Sequence, residues 1–229
     1  MTLWLFVVLV LVMTLIVFHA LRQAGVPVGV VVVIALAYLV IPGILAWRGM
    51  LDRYNPLPAP ALVMVLVLTV ITLTLTLGSA GRRVIAWIGL PALVGFQAFR
   101  IPVEWLLHRL YQEGVIPVEM TYAGRNFDIV TGLTAAALGL WLARGGRSPG
   151  LVIAWNVLGL ALLANIVTIA ILSTPVPFRQ FTDGPANLLP SLVPYVWLPS
   201  FLVQLALAGH VLVFRHIRSA GASPVRRSA

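Results

Sequence analysis

The sequence contains no cysteine. Disulfides, thiolate metal sites, iron–sulfur clusters and cysteine nucleophiles are therefore excluded, and the redox compartment leaves no trace. It contains no lysine either, and all fifteen basic residues are arginine. A retinal-type Schiff base, a pyridoxal-phosphate enzyme and a Walker A loop each need a lysine, so all three are excluded. The motifs His-Glu-x-x-His, Gly-x-Ser-x-Gly and Gly-x-Gly-x-x-Gly are absent. Charged residues make up only 9% of the 229, against about 25% in soluble domains. Disorder is excluded by the same scarcity.

Hydrophobic residues, at 61%, are what is present. A soluble globule this apolar lacks the polar residues to cover itself, so the chain reads as a multi-pass membrane protein. The net charge of +9 does not point to nucleic acid. The arginines stand singly or in pairs between apolar runs, as membrane topology signals do. No basic residue precedes the run that starts at Leu3, so a cleavable leader is not expected.

A membrane span needs about 20 apolar residues. Seven runs qualify: Leu3–Leu21, Val26–Trp47, Ala59–Leu77, Val84–Leu107, Phe127–Ala143, Leu151–Leu172 and Leu192–Phe214. Breaker-rich segments separate them, among them Asn55-Pro56-Leu57-Pro58 and Gly145-Gly146. With the C-terminus inside, nine arginines fall on the inner side (22, 82, 83, 144, 147, 215, 218, 226 and 227) and five on the outer (48, 53, 109, 125 and 179). This asymmetry favours an N-out, C-in orientation. The expected fold is all-α, a polytopic bundle of seven transmembrane helices over residues 1–214. A short basic cytoplasmic tail, 215–229, would meet anionic lipid. Trp47, Trp87, Trp105, Trp141 and Trp197 lie near span ends, as an interfacial belt requires.

Polar chemistry gathers between Phe99 and Thr131. Arg100, Glu104 and His108 are spaced i, i+4, i+8 and share one helical face. Counted from Val84, Arg100 lies ~24 Å along its span, towards the outer boundary of a ~30 Å core. Pro102 is expected to kink this span or to open a separate interfacial helix. Glu119 repeats the setting of Glu104, because Ile-Pro-Val-Glu recurs at 116–119. Asn126 or Asp128 can cap the next helix, beside Arg125, at an end that favours anions. Arg179, flanked by Phe178 and Phe181, lies in the last outer loop and can close a pocket or anchor that loop at the interface. Asn156, Asn165 and Gln204 lie within spans and are expected to bond between helices, with Asn165 nearest the outer pocket.

The polar candidates are thus Arg100, Glu104, His108, Glu119, Arg125, Asn126, Asp128, Asn165 and Arg179. Arg100, Arg125 and Arg179 would hold an anion, with Glu104 and His108 as acid and base. His19 and His210 match in depth near the inner face, whereas His108 is near the outer one. His108 therefore cannot share a haem with His210, and no supporting carboxylate or helically spaced second histidine accompanies the His19–His210 pair, so neither metal nor cofactor is expected.

The segments Phe99–His108 (FRIPVEWLLH), Gly124–Thr134 (GRNFDIVTGLT), Asn165–Val167, Pro175–Phe181 (PVPFRQF) and Trp197–Pro199, taken together, resemble a family of uncharacterised bacterial integral membrane proteins. The resemblance spans Phe99 to His210, about half the chain. It implies a bacterial, inner-membrane setting and a shared role for these residues, and it carries no catalytic assignment. The function expected from the sequence is a polar site at the outer face that binds an anionic lipid headgroup or a small carboxylate, with enzymatic activity left open. The alternatives are a structural or accessory subunit of a membrane complex, with small-residue packing along Gly132–Ala137, and a small-molecule transporter. Membrane lipids, with or without other membrane subunits, are the expected partners; nucleic acid is not.

Overall fold

A computed structural model describes residues 1–221, and the end of the expected tail, 222–229, lies outside the described residues. All regular structure among the described residues is helical. The main helices are α1 (Thr2–Gln23), α2 (Val28–Trp47), α3 (Pro60–Leu77), α4 (Ser79–Trp87), α5 (Leu90–Gln112), α6 (Ile129–Ala143), α7 (Pro149–Ser173) and α8 (Leu198–Ser219). Five of these, α1, α2, α3, α7 and α8, are long and apolar enough to cross a membrane. Taking α4 and α5 as one bent span makes six, and α6 is apolar but has only 15 residues. The chain is therefore a helical protein suited to several membrane crossings.

The expected span 84–107 is not one helix. It breaks at Ile88-Gly89, and α4 meets α5 at 108°. Gly89 is extended there, and Pro91 stands in the first turn of α5, where its missing N–H costs nothing. Pro102 does not interrupt α5, since it falls in the turn after a short 3₁₀ segment at Gln97–Phe99. α4 is amphipathic: Gly81 and Val84 are buried, while Arg82, Arg83 and Trp87 are exposed.

Two π-turns, Leu36–Val40 in α2 and Leu198–Leu202 at the start of α8, face each other. Pro42 cannot donate to the Tyr38 carbonyl one turn back. Ser200 Oγ donates to that carbonyl instead, at 3.0 Å, and Trp197 Nε1 donates to Leu39 O at 2.9 Å. Trp197 is thus drawn into the bundle, while Trp47, Trp87, Trp105 and Trp141 stay exposed. The indole packs beside Gly43, where even a Cβ would make only ordinary contact at 3.6 Å. Beside this seam, the loop after α2 buries Tyr54, whose hydroxyl donates to Ser191 Oγ at 3.1 Å. Burial raises the Tyr54 phenol above its ordinary value.

The helices around the polar residues pack through small side chains. Gly132, Ala135 and Gly139 on α6 are buried against α5. Of the small residues expected to pack between helices, Gly132 and Ala135 are thus used inside the molecule, while Thr134, Ala136 and Ala137 stay exposed. α8 packs on α3 and α7, and it carries the buried amide Gln204, which accepts from Thr72 Oγ1 at 3.0 Å.

Candidate functional site

Arg100 and Glu104 lie one turn apart on α5, and each is only 2% exposed. Their partners come from the turn that starts α6. Gly124 packs on the Val118 carbonyl with no room for a side chain, which tightens the turn so that the Asn126 N–H reaches Thr121 O at 3.2 Å. Asn126 then acts in two directions. Its Oδ1 accepts from the Asp128 N–H at 3.0 Å, and its Nδ2 donates to Glu104 Oε2 at 2.6 Å and to Met120 O at 3.1 Å.

Asp128, at the head of α6, pairs with Arg100 through two contacts, Nε–Oδ2 at 2.6 Å and Nη2–Oδ1 at 2.5 Å. Such forked pairing fixes orientation as well as charge. The remaining Arg100 Nη1 lies 2.9 Å from His210 Nε2 on α8, and His210 Nδ1 lies 2.7 Å from Asn156 Oδ1 on α7. The tautomer follows from the partners. Asn156 Nδ2 donates to the His210 carbonyl at 3.0 Å, so its Oδ1 must accept, and the histidine proton sits on Nδ1. Nε2 then accepts from Arg100. A polar chain, Glu104–Asn126–Asp128–Arg100–His210–Asn156, thus joins α5, α6, α7 and α8.

Gly159 stands against the His210 ring and Thr131, where a Cβ would lie 2.9 Å from His210 Nε2 and from Thr131 Cγ2. Gly159→Val is expected to push the imidazole off Arg100 and destabilise the fold by about 1–3 kcal/mol. A thermal melt in detergent checks this, and a wild-type melting temperature contradicts it.

Only part of the candidate set meets here. Arg100, Glu104, Asn126 and Asp128 do. His108 does not; its ring stacks on Tyr122 at 4.5 Å and its Nε2 lies 3.3 Å from Gln112 Nε2. Asn165 donates to the Arg125 carbonyl at 2.9 Å. The Arg125 guanidinium is exposed over the Phe181 ring at 5.4 Å. Arg179 donates to two carbonyls of its own loop, Phe181 at 2.8 Å and Gly184 at 2.7 Å. Glu119 is half-buried and makes no ion pair among the described residues. The segments converge, but the three arginines do not surround a common anion. His210 and Asn156 complete the cluster instead, although they were expected near the inner face and as an ordinary interhelical amide.

A cavity of about 280 Å³ adjoins the cluster. Arg100, Glu104 and Asp128 line it together with Thr69, Thr174 and Asn187, and α3, α7 and α8 supply apolar side chains such as Leu66, Leu163 and Leu202. No family model matches the chain, and no curated protein or solved structure matches it either. Glu104 Oε2 is held by Asn126, while Oε1 makes no hydrogen bond within the described residues; Asp128 Oδ1 makes none either, but it meets Arg100 in the ion pair. Asp128 uses both oxygens on Arg100. A buried carboxyl oxygen beside apolar space binds a hydrogen-bond donor whose remainder is hydrophobic.

Proposed function

We propose that this chain is a multi-pass protein of the bacterial inner membrane that binds a membrane amphiphile, with a hydroxyl or amine of its head donating to Glu104. In this reading it crosses seven times, N-terminus outside, with the short α6 as one crossing. Arg100 lies ten residues beyond Leu90, or ~15 Å, which is half of a ~30 Å hydrocarbon core. The site is then intramembrane rather than at the outer surface. Ionisable groups at that depth face the bundle interior and mark function more often than they stabilise.

The observation that carries the reading is the unpartnered Glu104 oxygen on an apolar cavity. Leu66, which lines that cavity, is 64% exposed on the lipid-facing side of α3, so the cavity opens towards bilayer chains. The charge count selects the head. Asp128 already neutralises Arg100, and an anionic head would meet Glu104 without a free cation. A donor head suits the wall better than the anionic one expected from sequence. The rest of the lining is mostly apolar, with Thr69, Thr174 and Asn187 among it, and suits a hydrocarbon tail better than a hydrated solute, which weighs against transport of a polar molecule.

The test is mass spectrometry of lipids and small molecules that copurify with wild type, Glu104→Leu and Ala170→Phe. Ala170 lines the cavity, so the phenylalanine fills it without touching the charges. Asn126 keeps the Met120 carbonyl in Glu104→Leu, so that variant retains a folded turn. One amphiphile retained by wild type should fall about ten- to a hundredfold in Glu104→Leu, as expected for a hydrogen bond to a charged group. It should fall in Ala170→Phe as well. Identical extracts from folded proteins would sink the reading.

A further inference from the structure

A second cavity, of about 640 Å³, lies on the opposite face of α8, away from Glu104. Its walls are mostly apolar stretches of α1, α2, α3, α5 and α8, and α4 closes one end. Leu15, Ile16 and Trp87 line it and are 68%, 46% and 47% exposed, so it too opens through lipid-facing side chains. A cavity open to hydrocarbon does not stay empty, because bare walls forfeit dispersion contacts that an alkyl chain supplies.

The end closed by α4 is basic. Arg82 and Arg83 are exposed on α4, and Arg22 is exposed at the end of α1. One guanidinium nitrogen of Arg83 donates to Gly25 O at 3.1 Å, and Gly25 N donates to Arg22 O at 3.0 Å, so the two helix ends are tied together. His19 meets Trp87 edge-on at 6.4 Å at the same mouth. No acid accompanies them. The chain has six acidic residues, at 52, 104, 113, 119, 128 and 183, and none lies on α1 or α4. The ion pair among the described residues, Arg100–Asp128, is elsewhere. These arginines therefore draw their counter-charge from outside the protein.

We infer that this end of the bundle is a binding site for an anionic phospholipid, its phosphate held by Arg22, Arg82 and Arg83 and one acyl chain seated in the cavity. The amphipathic α4, bent 108° from α5, lies where a helix in the headgroup plane would lie. Planar guanidinium groups suit phosphate oxygens, and Arg83 keeps donors beyond the one given to Gly25. This site is independent of the Glu104 cavity, and each stands if the other fails.

The test is native mass spectrometry of the full chain in detergent, titrated with dioleoyl phosphatidylglycerol and, separately, dioleoyl phosphatidylcholine. Wild type should bind the anionic lipid at least tenfold more tightly, because each arginine near a headgroup contributes a several-fold factor. Arg82→Gln/Arg83→Gln should lose about thirtyfold, leaving only the several-fold preference over phosphatidylcholine that Arg22 supplies. Arg82 makes no side-chain hydrogen bond among the described residues, so Arg82→Gln alone keeps the experiment readable if the double variant does not fold; about fivefold is expected. Ala20→Phe, which fills the cavity and leaves the charges, should weaken the dioleoyl lipid. Equal binding of the two lipids by wild type overturns the proposal. So does full competition by dihexanoyl phosphatidylglycerol or inorganic phosphate at equal concentration, which means a headgroup ion site with no chain in the cavity.

Discussion

Arg100→Leu is expected to leave little folded protein, and Arg100→Leu/Asp128→Leu to restore most of it. The single change strands the Asp128 carboxylate, which is 4% exposed and pairs with no other cation among the described residues. Breaking one side of a buried pair costs about 3–5 kcal/mol. It also removes the donor from His210 Nε2, for a further ~1–3 kcal/mol of unsatisfied polar group. Domains have roughly 5–15 kcal/mol to lose, so the sum approaches the whole of it. The double change removes both charges, and apolar replacements of a buried pair are often neutral or better. Monodisperse yield on size exclusion and the melting temperature in detergent read the difference. Equal behaviour of the single and double variants would contradict this account. The double variant also separates two roles: Glu104 keeps Asn126, so a folded double variant that still retains the copurifying amphiphile makes Arg100–Asp128 a scaffold for Glu104.

The sequence yields the membrane class, the helical runs and four members of the cluster. It misses the partnership of Arg100 with His210, and the reason is a matter of register. Counted from Val84 and Leu192 across a ~30 Å core, the two residues appear ~21 Å apart in depth. The helix that carries Arg100 starts at Leu90, and the helix that carries His210 starts at Leu198 and runs past Phe214. Each offset is six residues, or ~9 Å, and α5 and α8 run in opposite directions, so the two offsets close most of the gap. Apolar runs do not reveal such offsets. Val84 to Ile88 are as hydrophobic as a span, yet Gly89 and Pro91 turn them into the end of a separate amphipathic helix. The signal was present as a glycine two residues before a proline, the ordinary mark of a helix start. For Arg179 no such signal existed, because its use by the carbonyls of Phe181 and Gly184 depends on how its loop closes.

Gly139→Leu is expected to be as damaging as the loss of Arg100, for a reason of shape rather than charge. A Cβ at residue 139 would lie 2.8 Å from the Gly95 Cα, 2.9 Å from the Gly95 nitrogen and 3.1 Å from the Pro91 carbonyl. These are backbone atoms near the start of α5, and they cannot rotate aside as a side chain can. Gly132, two turns nearer the cluster, meets α5 in the same way, with a Cβ there 3.0 Å from the Ile101 nitrogen. Close backbone approach of this kind is how small residues hold membrane helices together. Overpacking costs typically about 1–3 kcal/mol, and more where backbone must yield, so Gly139→Ala should sit within that range and Gly139→Leu beyond it. Parting α6 from α5 also draws Asp128 from Arg100, which adds the charge penalty to the steric one. The contact is asymmetric, and this gives the control. A Cβ on Gly95 would approach the Gly139 Cα only to 4.0 Å, an ordinary contact. Gly95→Ala should therefore be tolerated, or stabilise by about 0.5–1 kcal/mol through the lower backbone entropy of alanine. Melting curves of the two alanine variants in the same detergent make the comparison. If Gly139→Ala melts with wild type, or if Gly95→Ala falls as far as Gly139→Ala, the two helices do not cross at this distance and the ion pair they carry is not held by that crossing.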